Sequence, residues 1–329
     1  MSNTTITTEK QTKPPISRNI FRRVRPVFYA LILLCVIGII TQPNFLTIRN
    51  LRNIILSTTP WAIATIGQSL ALLTAGIDLS IGPVISLTNI VAAFLMKDYP
   101  EYALGISLLC IALGLFVGLI NGLVIAYLKL NPFLFTLASG TAIQGVTLGI
   151  MYQPGGMVTP EFLQISRISI GFLPLATLYI LFLYVVGSFI LKRTSFGLSI
   201  YAVGGNQNSA RLSGIRVERV LIAVYTISGF LASLAGLYIA SRIGSGDPIV
   251  GEPISLDTIT AAVLGGTSLF GGIGDLWGGL AGAFFIGTLS TTLNLNNVSP
   301  FYQWIVKGFI LIAAMAIDLW RHTGNNEIV

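Results

Sequence analysis

Apolar stretches of the length that crosses a lipid bilayer recur along this chain with little polar sequence between them. Ten stand out, at 27–40, 54–73, 83–96, 103–127, 133–151, 174–191, 220–241, 256–266, 276–293 and 301–320, and a spanning helix needs about 20 mostly apolar residues. The third, eighth and ninth are short and interrupted by glycine or proline, which predicts broken helices. Only 9% of the 329 residues are charged while 53% are hydrophobic, against about 25% charged in an ordinary soluble domain. So little polar surface cannot cover a water-soluble core, which excludes a soluble enzyme and confines disorder to the ends. The expected fold is an all-α polytopic membrane protein of about ten transmembrane helices. It has one transmembrane domain at 27–320, a polar leader at 1–26 and a tail at 321–329.

The distribution of basic residues orients it. Lys10, Lys13, Arg18, Arg22, Arg23 and Arg25 crowd the leader, and five more lie between Lys192 and Arg219. Lysine and arginine gather on the cytoplasmic side of membrane proteins. With the N-terminus inside, Arg49, Arg52, Lys97, Arg167 and Arg242 face outward and both termini are cytoplasmic. No small-residue cleavage site follows the first apolar stretch, so it reads as an uncleaved span rather than a signal peptide. The charge of +7 therefore speaks for a membrane surface and not for nucleic acid. The only histidine, His322, lies in the tail, so neither a histidine metal cluster nor a Ser/His/Asp triad is available. Cys35 and Cys110 sit in apolar stretches as small hydrophobes. No residue reads as catalytic or as a metal ligand.

One polar segment, 192–219, carries an ordered pattern. Gly204 and Gly205 make a turn, Asn206 or Asn208 can cap a helix, and residues 209–213 give about two turns before Gly214 ends them in the left-handed conformation. So short a helix does not form alone in water and needs packing or a partner to hold it. Taken by itself, the segment is equally an ordinary cytoplasmic loop.

With its neighbours this pattern resembles a family. Gly204-Gly205-Asn206 followed by Ala210-Arg211-Leu212-Ser213-Gly214 is similar to the coupling loop of bacterial ABC-type monosaccharide importer permeases, those of the ribose, arabinose, galactose and xylose systems. Residues 74–82 (TAGIDLSIG), 262–272 (AVLGGTSLFGG), Asn121-Gly122 and Asn131-Pro132-Phe133 match as well. The resemblance covers 44–318. It implies a type II-like importer fold, related to the vitamin and branched-chain amino acid systems, with inverted repeats. It also implies an ABC ATPase that docks Gly204, Gly205, Asn206, Asn208, Ala210, Arg211 and Gly214, a periplasmic sugar-binding protein, and a second permease copy, identical or a sister chain. ATP and magnesium would sit on the ATPase, since this chain has no GxxxxGK[ST] and no Gly-Lys pair. Leu212-Ser213-Gly214 resembles the ABC signature only superficially, because no glutamine follows. The same superfamily includes permeases for nucleosides and branched-chain amino acids. An ion-coupled secondary transporter is the alternative outside it.

Further polar residues fall at membrane depth. Asp78, between Gly76 and Pro83, either caps the start of a broken helix, together with Ser80, or touches substrate; no second buried acid accompanies it to complete a proton relay. Thr267 and Ser268, within the glycines at 265–272, either offer hydroxyls to a polar solute or belong to close helix packing. Asn121 and Phe133 supply the amide and the aromatic face that a sugar site uses, though a buried asparagine also bridges helices. Arg242, Asp247, Glu252 and Asp257 are read as outer residues, either docking a soluble protein or plainly solvated. A shift of 190 residues aligns Ala92-Ala93-Phe94-Leu95 with Gly282-Ala283-Phe284-Phe285. That would be a parallel repeat, at odds with the inverted repeats of the resembled fold.

Overall fold

The computed structural model describes residues 26–171 and 173–326. The leader at 1–25, its basic residues, and the end of the tail at 327–329 lie outside the described residues. The helices are α1 (Pro26–Thr41), α2 (Ile48–Leu73), α3 (Ile81–Asp98), α4 (Ala103–Leu128), α5 (Pro132–Ile150), α6 (Pro160–Arg167), α7 (Leu175–Arg193), α8 (Ser195–Gly205), α9 (Gln207–Leu212), α10 (Val217–Ile243), α11 (Glu252–Leu264), α12 (Leu276–Leu295) and α13 (Pro300–Asn326). A two-stranded hairpin, β1 (Ser169–Ile170) and β2 (Leu173–Pro174), precedes α7.

Each of the ten apolar stretches is a helix, but among the described residues seven are long and apolar enough to cross a membrane: α3, α4, α5, α7, α10, α12 and α13. The other three of the ten, α1, α2 and α11, are helices that fall short of that measure of length and composition. Helices α1 and α11 are short, at 16 and 13 residues. Helix α2 has 26 residues but carries Arg49, Arg52 and Gln68, and its second half is almost wholly buried inside the bundle. A helix surrounded by protein need not be apolar enough for lipid.

The architecture is an inverted repeat in which α2–α5 and α10–α13 are two copies of one unit. Helices α2 and α10 pack antiparallel, with Gly67 against Ser228 and Arg242 Nη2 donating to Asn53 Oδ1 at 3.3 Å. As α10 lies on α3 and α4, so α2 lies on α11 and α12, and as α3 meets α5, so α11 meets α13. In each unit the first helix ends in a left-handed residue, Ala75 at φ 60° or Gly244 at φ 84°. An aspartate then accepts the amide two residues on, Asp78 Oδ1 from Ser80 at 3.0 Å and Asp247 Oδ1 from Ile249 at 3.0 Å. The next helix starts at Gly82 or Gly251, where the two units lock together: Gly82 N–H donates to Ser255 Oγ and Gly251 N–H to Ser86 Oγ, both at 2.9 Å.

The offset is thus 169 residues, from Gly82 to Gly251, and the parallel shift of 190 is incorrect. The signal was there to find. DLSIGPVISL at 78–87 and DPIVGEPISL at 247–256 share Asp, Gly, Ile, Ser and Leu in register, whereas the glycines that suggested 190 only reflect composition.

Candidate functional site

Helix α9 is built as the sequence predicts, and Asn206 rather than Asn208 is its cap. Asn206 is extended at φ −162° and its Oδ1 accepts the Ser209 amide at 2.9 Å. Gly214, at φ 84°, ends the segment, with the Gly214 amide on Arg211 O and the Ile215 amide on Ala210 O. Upstream, Thr194 Oγ1 caps α8 by accepting from the Gly197 amide. Gly205, Asn206, Asn208, Arg211 and Gly214 are exposed, whereas Ala210 is buried and anchors the helix to the core. Arg211 Nη2 pairs with Glu218 Oε1 at 2.5 Å on the surface. Leu212, not singled out from the sequence, is 90% exposed beside Arg211.

Gly204 faces inward. A Cβ there would run into the carbonyl of Leu73, at the end of α2, and the amide of Gly272, in the loop before α12. Those two groups bond to each other, Gly272 N–H to Leu73 O at 3.0 Å. Three backbones therefore meet where the foot of α8 touches the break after α2 and the break after α11. Gly205, next to it, has open space around its α-carbon. The pair of glycines thus divides its work, one making the junction and the other the surface turn.

The break at 74–80 is fastened to four helices. Asp78 Oδ1 accepts from the Ser80 amide and, at 2.5 Å, from Ser80 Oγ; Asp78 Oδ2 accepts from Ser228 Oγ of α10 at 2.7 Å. Asn121 of α4 donates its Nδ2 to Ser80 Oγ at 2.8 Å. Thr136 of α5 takes the Leu79 amide and donates to Ile77 O. Ser255 of α11 donates to Leu79 O. Ser80 occupies the N-cap position of α3 without a side-chain cap bond, because Asp78 holds its hydroxyl. Asp78, Ser80 and Asn121 are each at most 2% exposed. In this conformation the three form one closed cluster.

Thr267 and Ser268 lie elsewhere, in the loop between α11 and α12. Thr267 is fully buried, and Ser268 Oγ donates to Asp318 Oδ2 of α13, which also accepts the Leu269 amide at 3.0 Å. Phe133, near the start of α5, is 42% exposed, whereas Asn121 is buried. Of the four residues read as outer, Asp257 is corrected: it is 3% exposed, and its Oδ2 accepts from Lys307 Nζ at 2.7 Å and Trp61 Nε1 at 3.1 Å. It is the second buried acid that the sequence reading did not find, hidden because its cation, Lys307, is 50 residues away on α13. Among the described residues no group of three or more His, Cys, Asp or Glu is placed to hold a metal.

The family model described as branched-chain amino acid transport system / permease component matches residues 50–315. The "ribose import permease protein" of Haemophilus influenzae is 37% identical over 303 residues, covering 90% of this chain and 93% of that one. The "D-allose transport system permease protein" of Escherichia coli is 32% identical over 317 residues, covering 96% and 97%. The "xylose transport system permease protein" of the same species is 32% identical over 343 residues, covering 84% and 86%. No solved structure matches.

Proposed function

The chain belongs to the branched-chain amino acid transport system / permease component family, and from that premise we propose that it carries a monosaccharide across the bacterial cytoplasmic membrane as the permease of an ATP-driven importer. The printed functions of the ribose, allose and xylose relatives support the sugar class; the family's own description keeps branched-chain amino acids as the nearest rival cargo, and nucleosides are the other alternative.

The observation that carries the reading is the exposed, doubly capped α9 with Gly204 at its root. The α9 face is cytoplasmic, as are both termini. A separate ATPase, holding ATP and magnesium, docks on Asn206, Asn208, Arg211, Leu212 and Gly214. Its closure pushes on α9, and the push reaches both breaks through the contact of Gly204 with Leu73 and Gly272. The permease does no bond chemistry. It changes between access states according to the contacts that ATPase and cargo make differently in each. A periplasmic binding protein delivers sugar to the opposite face, and two permease chains, identical or sister, enclose the path. Asp78, Ser80 and Asn121 hold the first break in shape, and Ser268, through Asp318, the second, so their effect on passage is through the framework.

The test is purification from native membranes with identification of what accompanies the chain. An ABC ATPase that accompanies the wild type and is lost from Arg211→Glu supports the reading. Wild type isolated alone under conditions that preserve such complexes overturns it, and ion-gradient-driven uptake then becomes the alternative.

A further inference from the structure

We propose that the crevice between α11 and α13 is a sugar-binding subsite built on the Asp257–Lys307 pair; the inference rests on the sugar-importer reading above. The crevice has a volume of about 200 Å³ and is bordered by Glu252, Asp257, Thr260, Trp304 and Lys307. That is smaller than the roughly 300–1,000 Å³ of a site for a drug-sized ligand, which suits one small solute.

Its chemistry is that of polyol recognition. Both of Asp257's contacts fall on Oδ2, which leaves Oδ1 without a hydrogen bond among the described residues. Lys307 donates to Asp257 at 2.7 Å, lines the crevice with 12% of its side chain exposed, and has two further protons to give. A carboxylate oxygen and an ammonium side by side accept from and donate to neighbouring hydroxyls. Trp304 supplies the apolar face against which a sugar ring stacks.

The internal repeat provides a second, independent argument. The unit formed by α2–α5 folds without such a pair: Thr88 stands where Asp257 does, and α5 carries no charged residue. A buried ion pair is poor value for stability, since desolvation consumes most of its attraction. The architecture therefore does not require these charges, and their presence in one unit only marks a difference in use. Lys307 also lies 5.3 Å from the centre of the Trp61 ring, which fixes the ammonium at the base of the crevice.

The test is site-directed labelling in membrane vesicles with Cys35 and Cys110 replaced by alanine. Leu256→Cys, at a half-exposed position in the crevice lining, is reacted with a small maleimide, with and without D-ribose, D-allose or D-xylose. One of these sugars is expected to slow the reaction several-fold and to leave Tyr302→Cys, outside the crevice lining, unaffected. Removing the pair by Asp257→Asn with Lys307→Gln is expected to abolish the protection. Thr260→Leu, which fills the crevice and spares the pair, serves where the double variant does not accumulate. Labelling that ignores all three sugars, no labelling at all, or protection that survives both changes overturns the subsite. Uptake of the same sugars by cells carrying the wild-type chain separates the two conclusions. Uptake without protection removes the subsite alone, and absence of uptake removes the sugar-importer reading on which it rests.

Discussion

Gly82 and Gly251 stand back to back, and each is hydrogen-bonded to the serine four residues into the other's helix. A Cβ on either would meet the carbonyl of the other, so both positions need glycine for close approach rather than for backbone freedom. This contact joins the two inverted units at the starts of α3 and α11, and everything placed by the repeat is placed relative to it.

The serines should behave as a matched pair. Ser86→Ala and Ser255→Ala each strip a buried amide of its acceptor, which costs about 1–3 kcal/mol. Thermal unfolding of the detergent-solubilised protein should show comparable losses for the two. A large cost for one and none for the other would refute the equivalence.

At the first break, Asp78→Ala removes three accepted bonds at once and should destabilise by about 1–3 kcal/mol, since the buried Ser80 amide is left unsatisfied. Ser228→Ala removes one hydroxyl donor and should cost about 1 kcal/mol. The same unfolding measurement ranks them, and a Ser228 variant worse than the Asp78 variant would contradict the network.

Neighbouring glycines in the coupling segment should differ sharply. Gly204→Ala forces Leu73 and Gly272 apart and should cut uptake severely while the ATPase still copurifies. Gly205→Ala meets nothing and should transport as wild type. Equal effects of the two substitutions would detach α9 from the breaks.

Leu212→Asp replaces a side chain that touches little of its own protein, so the melting temperature should move by less than the equivalent of about 0.5 kcal/mol. Retention of the ATPase should nevertheless fall. Unchanged copurification would take Leu212 out of the docking surface.

How much of this was legible depended on the range of the interaction. The α9 segment is local: sequence spacing narrows its cap to Asn206 or Asn208 and ends it at Gly214, and the structure selects Asn206 and sets the helix at Gln207–Leu212. The class of fold followed from hydropathy alone. Asp257 falls inside the apolar stretch 256–266 whereas Glu252 precedes it, a local sign of burial, but the partners that satisfy it, Lys307 and Trp61, are 50 and 196 positions away. Gly204 could be recognised as a turn residue, but its neighbours across the junction come from two other segments. The repeat is a different case: five residues in ten match in register between 78–87 and 247–256, while the coincidence of glycines at a shift of 190 reflects composition alone.

Helix α13 turns an unusual face to its neighbours. Its inward seam runs Gln303, Lys307, Leu311, Ala314 and Asp318, and the three polar members bond to Asn294, Asp257 and Ser268 respectively. A lysine or aspartate near the middle of a helix entering lipid costs about 3 kcal/mol, and Asp257 in α11 incurs the same cost without a cation of its own. In the order of synthesis α11 emerges first and waits. Release of α13 from the ribosome supplies the opposite charge, so the two helices are best committed to the bilayer together. Emergence of α13 is thereby a condition for settling α11, and a nascent chain cut short before Lys307 leaves an acid stranded without its cation.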